Sequence, residues 1–104
     1  MSEHVVCSLG DLPAGTARRF VLDDVAVAVV RCDGDVFAVG DRCTHQDVSL
    51  SEGEVDCDER TIECWKHGST FSLETGEALA LPATKPTPVF DARVEGGQIV
   101  VRVP

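Results

Sequence analysis

Apolar and polar positions along this 104-residue chain alternate in short runs broken by turn residues, with little helical periodicity. His4–Cys7 predicts a first strand and Ala17–Leu22, which alternates, a second. Val25–Arg31 is almost continuously small apolar or β-branched, so it predicts a central strand covered on both faces. Asp33-Gly34 predicts a hairpin turn, and Asp35–Val39 the returning strand. Gly40 lets the chain turn away at that point.

Further on, Thr61–Cys64 and Thr70–Leu73 predict two short strands, the second ending in the turn Glu74-Thr75-Gly76-Glu77. Leu81–Pro88 holds Pro82, Pro86 and Pro88, which predicts a stiff loop without regular pairing. Pro88–Val94 and Gln98–Val103 predict a closing hairpin across Glu95-Gly96-Gly97. Many short strands at this spacing imply an all-β fold, an antiparallel sandwich or partly open barrel. No repeat, low-complexity stretch or linker interrupts it, so residues 1–104 read as one domain.

The net charge of −9 argues against nucleic acid, whose phosphates require a basic face. Asp41, Asp47, Glu52, Glu54, Asp56, Asp58, Glu59 and Glu63 concentrate this charge in the middle of the chain. They read either as a solvated face or as a surface that steers a transient, basic partner. No apolar run is long enough for a membrane helix and Met1–Gly10 carries no basic-apolar leader, so a cytoplasmic protein without membrane contact is expected. Five cysteines are an odd number, which argues against a secreted disulfide framework. Cys7 reads as a small buried or edge residue. Cys32 and Cys57, beside acidic turn residues, read as exposed thiols, and neither is expected to be a ligand.

The chemistry lies in Cys43-Thr44-His45 and, after 18 intervening residues, Cys64-Trp65-Lys66-His67. Two of the three histidines of the chain sit in this C-x-H…C-x-x-H pattern. Zinc also takes two cysteines and two histidines, but zinc-finger spacing usually pairs like with like, whereas here each loop carries one of each. A [2Fe–2S] cluster with two thiolates on one iron and two imidazoles on the other suits the pattern better. Replacing two thiolates by neutral imidazoles leaves the cluster formally neutral when oxidised and singly negative when reduced. Adding the electron then costs less, and the potential lies at roughly −150 to +300 mV.

The two ligand loops and the strand organisation around them resemble the Rieske iron–sulfur family over nearly the whole chain. The resemblance implies that Cys43 and Cys64 hold an inner iron, and His45 and His67 an outer one whose imidazole edges are the electron exit. It implies a base of antiparallel sheets with a small cluster-binding subdomain inserted at about 41–81. Respiratory members carry an extra cysteine in each ligand loop, and the two form a disulfide across the cluster. Here the first loop continues Gln46-Asp47-Val48-Ser49-Leu50 and Lys66 precedes His67, so that disulfide is absent. Respiratory members also place a serine and a tyrosine after the second histidine, both donating to cluster sulfurs. This chain keeps Ser69 but has Phe71 at the tyrosine position and no tyrosine anywhere, so a potential near the low end of the range is expected. Gly68 lets the backbone close round the cluster. Trp65 either shields it or packs between subdomains, and Pro82 belongs either to a covering loop or to an ordinary rigid turn.

Within these 104 residues neither the mononuclear iron domain of an oxygenase catalytic subunit nor a membrane anchor is expected. The resemblance therefore implies a free-standing ferredoxin and not an enzyme. Such a protein carries one electron from a flavin-dependent NAD(P)H reductase to a terminal acceptor, typically a ring-hydroxylating oxygenase, by weak and transient docking. Three alternatives remain: a ferredoxin serving iron–sulfur assembly, to which the stretch Cys64–Pro88 is similar; a small subunit bound to an assimilatory nitrite reductase; and a zinc-stabilised binding module.

Overall fold

The computed structural model describes residues 2–42, 48–66, 68–81 and 85–104. Among these described residues ten strands follow in order: β1 Ser2–Ser8, β2 Thr16–Leu22, β3 Val25–Cys32, β4 Asp35–Gly40, β5 Glu54–Asp56, β6 Thr61–Glu63, β7 Thr70–Ser72, β8 Ala78–Ala80, β9 Val89–Glu95 and β10 Gln98–Val103. Single 3-10 turns occupy Leu9–Asp11 and Leu50–Glu52. A six-stranded sheet runs β1-β10-β9-β4-β3-β2 and a four-stranded one β5-β6-β7-β8. Every pairing is antiparallel. The small sheet is therefore inserted, in sequence, between β4 and β9 of the large one.

The predicted strands are present, and β5, β8 and the two 3-10 turns are additions. Each added strand is three residues long, too short for a period-2 pattern to declare itself. Turn chemistry explains the hairpins. Asp23 and Asp24, both at positive φ (50° and 66°), join β2 to β3, and Gly96 and Gly97 (55° and 78°) join β9 to β10. These are positions where Asp and Gly are tolerated and β-branched residues are not.

Strand β3 shows how the two sheets share a core. Val27, Val29, Ala38 and Ile99 are fully buried in one apolar cluster with Leu12, Leu22, Val101 and Val103. Ala28, Val30 and Cys32 point the other way, joining Val39, Leu50, Ile62, Cys64, Phe71 and Leu73 in a second cluster between the sheets. Successive side chains of a strand face opposite sides. A strand covered on both sides needs an unbroken apolar run, and Val25–Val30 supplies it.

The same alternation corrects the reading of Cys32. It lies two positions beyond Val30 on the inter-sheet face and is only 6% exposed. It is bonded to Cys57, with their Cα atoms 5.5 Å apart. Cys32 and Cys57 are thus a disulfide and not exposed thiols; the acidic turn residues beside each say nothing about a partner 25 positions away. Cys7 is a free, half-buried cysteine against the first cluster, where burial pushes its thiol pKa up.

Candidate metal centre

Of the four predicted ligands, Cys64 lies among the described residues; Cys43, His45 and His67 lie outside them. Cys64 follows directly on β6 and is 1% exposed, within the inter-sheet core. Its backbone N–H donates to the Ser69 carbonyl at 2.6 Å, and its own carbonyl accepts from the Gly68 N–H at 3.0 Å. The chain between β6 and β7 is thus pinched at its base into a tight loop. Gly68 sits at φ +76°, a left-handed conformation that excludes most side chains. Its glycine is required by that backbone angle, since a Cβ would come no nearer than 4.0 Å to another group. Ser69 is fully buried. Trp65 is 55% exposed and Lys66 is exposed, so Trp65 is not a buried packing residue between the sheets. The tight reversal sends the cysteine inward and the next two side chains outward.

The first loop is held at its two ends. Asp41, with its side chain wholly buried, accepts from the Ser49 hydroxyl at 2.5 Å, from the Ser51 N–H at 2.7 Å and from Arg19 Nε at 3.1 Å. One carboxylate therefore joins the residues before and after positions 43–47 and ties both to β2. These charge-assisted bonds satisfy a buried anion that would otherwise be costly. Sequence reasoning counted Asp41 only as one acid among eight; the Ser-x-Ser spacing that closes the clamp has no meaning until the loop is folded.

Glycines close the remaining contacts. Gly40 donates to Pro88 O at 2.8 Å, and a Cβ there would lie 2.9 Å from Pro88 Cγ, so close packing and not a turn requires it. Gly76, at φ +76°, accepts from the Thr87 N–H at 2.8 Å. Together Gly40 and Gly76 anchor the proline-bearing segment at Thr87–Pro88; Pro82 lies outside the described residues. The remaining histidine, His4, pairs with Asp23 at 3.1 Å on β1, at the far edge of the large sheet.

Glu54, Asp56, Asp58 and Glu63 line an open groove of about 540 Å³ with Val55, Cys57, Thr61 and Thr70. Among the described residues no group of three His, Cys, Asp or Glu side chains forms a metal site, so the acids make a charged surface and no second centre.

The Rieske [2Fe-2S] domain model matches residues 2–91. The chain belongs to the Rieske family. The 3-phenylpropionate/cinnamic acid dioxygenase ferredoxin subunit of Escherichia coli (strain K12) is 39% identical over all 104 residues, 96% of that protein's length. Among solved structures, the ferredoxin of carbazole 1,9a-dioxygenase from Nocardioides aromaticivorans IC177 superposes with a TM-score of 0.93 at 32% identity, covering 97% of each chain. A chain in a complex of reduced oxygenase and oxidized ferredoxin in carbazole 1,9a-dioxygenase reaches 0.87 at 37% identity, over 95% of this chain and 100% of that one. A putative NADH-dependent nitrite reductase small subunit from Mycobacterium tuberculosis reaches 0.88 at 32%, over 99% and 96%.

This Rieske protein is an electron carrier with a [2Fe–2S] cluster, not a catalyst. The described part of the site fits the group. A soft thiol donor stands nearly water-free at the base of a pinched loop, and a buried clamp braces the feet of the other loop. No helix among the described residues is long and apolar enough to cross a membrane.

Proposed function

We propose that Cys43, His45, Cys64 and His67 hold the cluster, within a cluster-binding subdomain at about 41–81 of a single domain spanning 1–104. The cluster supplies one reversible electron at a potential toward the low end of roughly −150 to +300 mV. The protein's own part is positional. Buried Cys64 keeps water from the thiolate side, and the Asp41 clamp holds the first loop at a fixed distance from the base sheet. Exposed Trp65 and Lys66 border His67 in sequence and offer a docking partner an apolar and a cationic contact. No residue is needed as acid, base or nucleophile.

The electron comes from a flavin-dependent NAD(P)H reductase and goes to a terminal ring-hydroxylating oxygenase, in transient encounters within the cytoplasm. The observation that carries this reading is the end-to-end match, at 39% identity, to a dioxygenase ferredoxin subunit. A second reading, a subunit bound stably to a nitrite reductase, is favoured by the equally complete match to the small subunit named above.

The test combines voltammetry with turnover. A one-electron wave, low in potential and flat around neutral pH, is expected. With NADH, a flavoprotein reductase and an oxygenase, the protein should support oxygenase turnover in proportion to its concentration. His45→Ala and His67→Ala should each lose the mixed-ligand spectrum and the wave; a variant that kept both would sink the ligand assignment. Co-purification with a large reductase subunit, without oxygenase support, would favour the second reading.

A further inference from the structure

We propose that the Cys32–Cys57 disulfide is a reducible latch between the two sheets, opened by dithiols that reach it from the acidic groove at Cys57. Its position gives it leverage. Cys32 ends β3, inside the large sheet, and Cys57 directly follows β5, at the edge of the small one. The covalent ring between them contains β4, positions 43–47 and β5. Closing the bond therefore restrains the first loop and its clamp from both sides. Its polar neighbours are weak substitutes: Arg60 pairs with Asp35 at 3.2 Å with both side chains exposed, and lies 5.5 Å from the Phe37 ring. Apart from the apolar cluster, the disulfide is the strong tie among the described contacts of this corner.

Access is one-sided. Cys32 is buried, whereas Cys57 is partly exposed and lines the groove. A thiolate of the reductant attacks Cys57 Sγ, the Cys32–Cys57 bond breaks, and Cys32 leaves and takes up a proton. The reductant's second thiol then attacks the mixed disulfide, releasing Cys57 as a thiol and closing the reductant into its own disulfide. Two electrons and two protons pass to the pair.

Glu54, Asp56, Asp58 and Glu63 set the selectivity. Their charge repels both attacking thiolates, but glutathione, whose thiolate form carries a net charge of about −2, more strongly than dithiothreitol, whose thiolate carries a single negative charge. In an oxidising compartment the latch stays shut. In a dithiol-reducing one it opens and leaves this corner of the two sheets joined by apolar packing and the exposed Arg60 contacts to Asp35 and Phe37.

The experiment uses the holoprotein, labelled with N-ethylmaleimide before and after dithiothreitol, with intact and peptide mass spectrometry. Cys32 and Cys57 should label only after reduction. Cys7 is the internal reference. Reduction should lower the temperature at which the visible cluster absorbance bleaches by roughly 10 °C or more. A C32S/C57S variant should match the reduced protein and ignore dithiothreitol, which separates the latch from any attack on the cluster. At equal thiolate concentration and low salt, glutathione should be at least about tenfold slower, with the gap closing as salt rises. Labelling of both cysteines without reductant, resistance of the folded protein to dithiothreitol, or reduction with no change in bleaching would each overturn the latch. Glutathione keeping pace at low salt would overturn entry through the groove. None of these outcomes depends on the redox partner, so the latch and the electron-transfer reading fail separately.

Discussion

Gly53→Ala tests the claim that the small sheet places Cys64. Gly53 stands between the Leu50–Glu52 turn and β5, and its neighbour Glu54 pairs with Glu63, the residue before Cys64. A Cβ on Gly53 would lie 1.8 Å from the Glu63 carbonyl oxygen and 2.9 Å from its carbon. Real Cβ contacts stay above 3.0 Å, so the two segments must part by more than an ångström. The obstacle is backbone within a ladder and has no rotamer to change. Overpacking of this kind, with two ladder hydrogen bonds weakened, costs roughly 3 kcal/mol or more. For a chain of this length that is a fall in Tm of roughly 12–24 °C. The displacement passes directly to Cys64, so cluster absorbance and iron content should fall with stability. The assay is a thermal scan followed in parallel by far-ultraviolet circular dichroism and visible absorbance. Gly34→Ala is the control: nothing lies within 4 Å of its added Cβ, and it should melt with the parent. If Gly53→Ala also melted with the parent and kept its colour, the close approach of Gly53 to Glu63 would not exist in solution and the account of Cys64 placement would fail.

Two further outcomes follow from the site. Phe71→Tyr puts a hydroxyl into the fully buried cluster that holds Cys64; a bond from it to a cluster sulfur should raise the potential by roughly 20–60 mV, the electrochemical equivalent of one net hydrogen bond. An unchanged potential with lower stability would show that the ring edge faces away from the cluster. Asp41→Asn removes the charge from three hydrogen-bonding contacts and should cost about 2 kcal/mol and speed cluster loss to a chelator, whereas Arg19→Ala, on a half-exposed partner, should cost less than about 1 kcal/mol by denaturant titration.

Much of the fold was legible because local chemistry dictates it. The unbroken apolar run of β3 announced a strand covered on both faces, and Val27–Val30 are fully buried. Asp33-Gly34 and Glu95-Gly96-Gly97 marked hairpins, and within them Asp33, Gly96 and Gly97 take positive φ, which few residues accept. The short strands β5 and β8 were not legible, because three residues carry no period. The exposure of Trp65 was not legible either. A tryptophan beside an expected ligand reads as shielding or as packing until the Gly68–Cys64 pinch decides which way each side chain leaves the loop.

By itself the sequence pointed to the chemical type of this protein, because donor atoms are a property of side chains and the C-x-H…C-x-x-H spacing can be read without a fold. Tertiary structure decided what joins to what. The Cys32–Cys57 bond, the Asp41 clamp on Ser49 and Ser51, and the approach of Gly53 to Glu63 are pairings between positions that no local pattern relates. Each depends on strand alternation and register, which bring distant residues to one face only after the two sheets have packed.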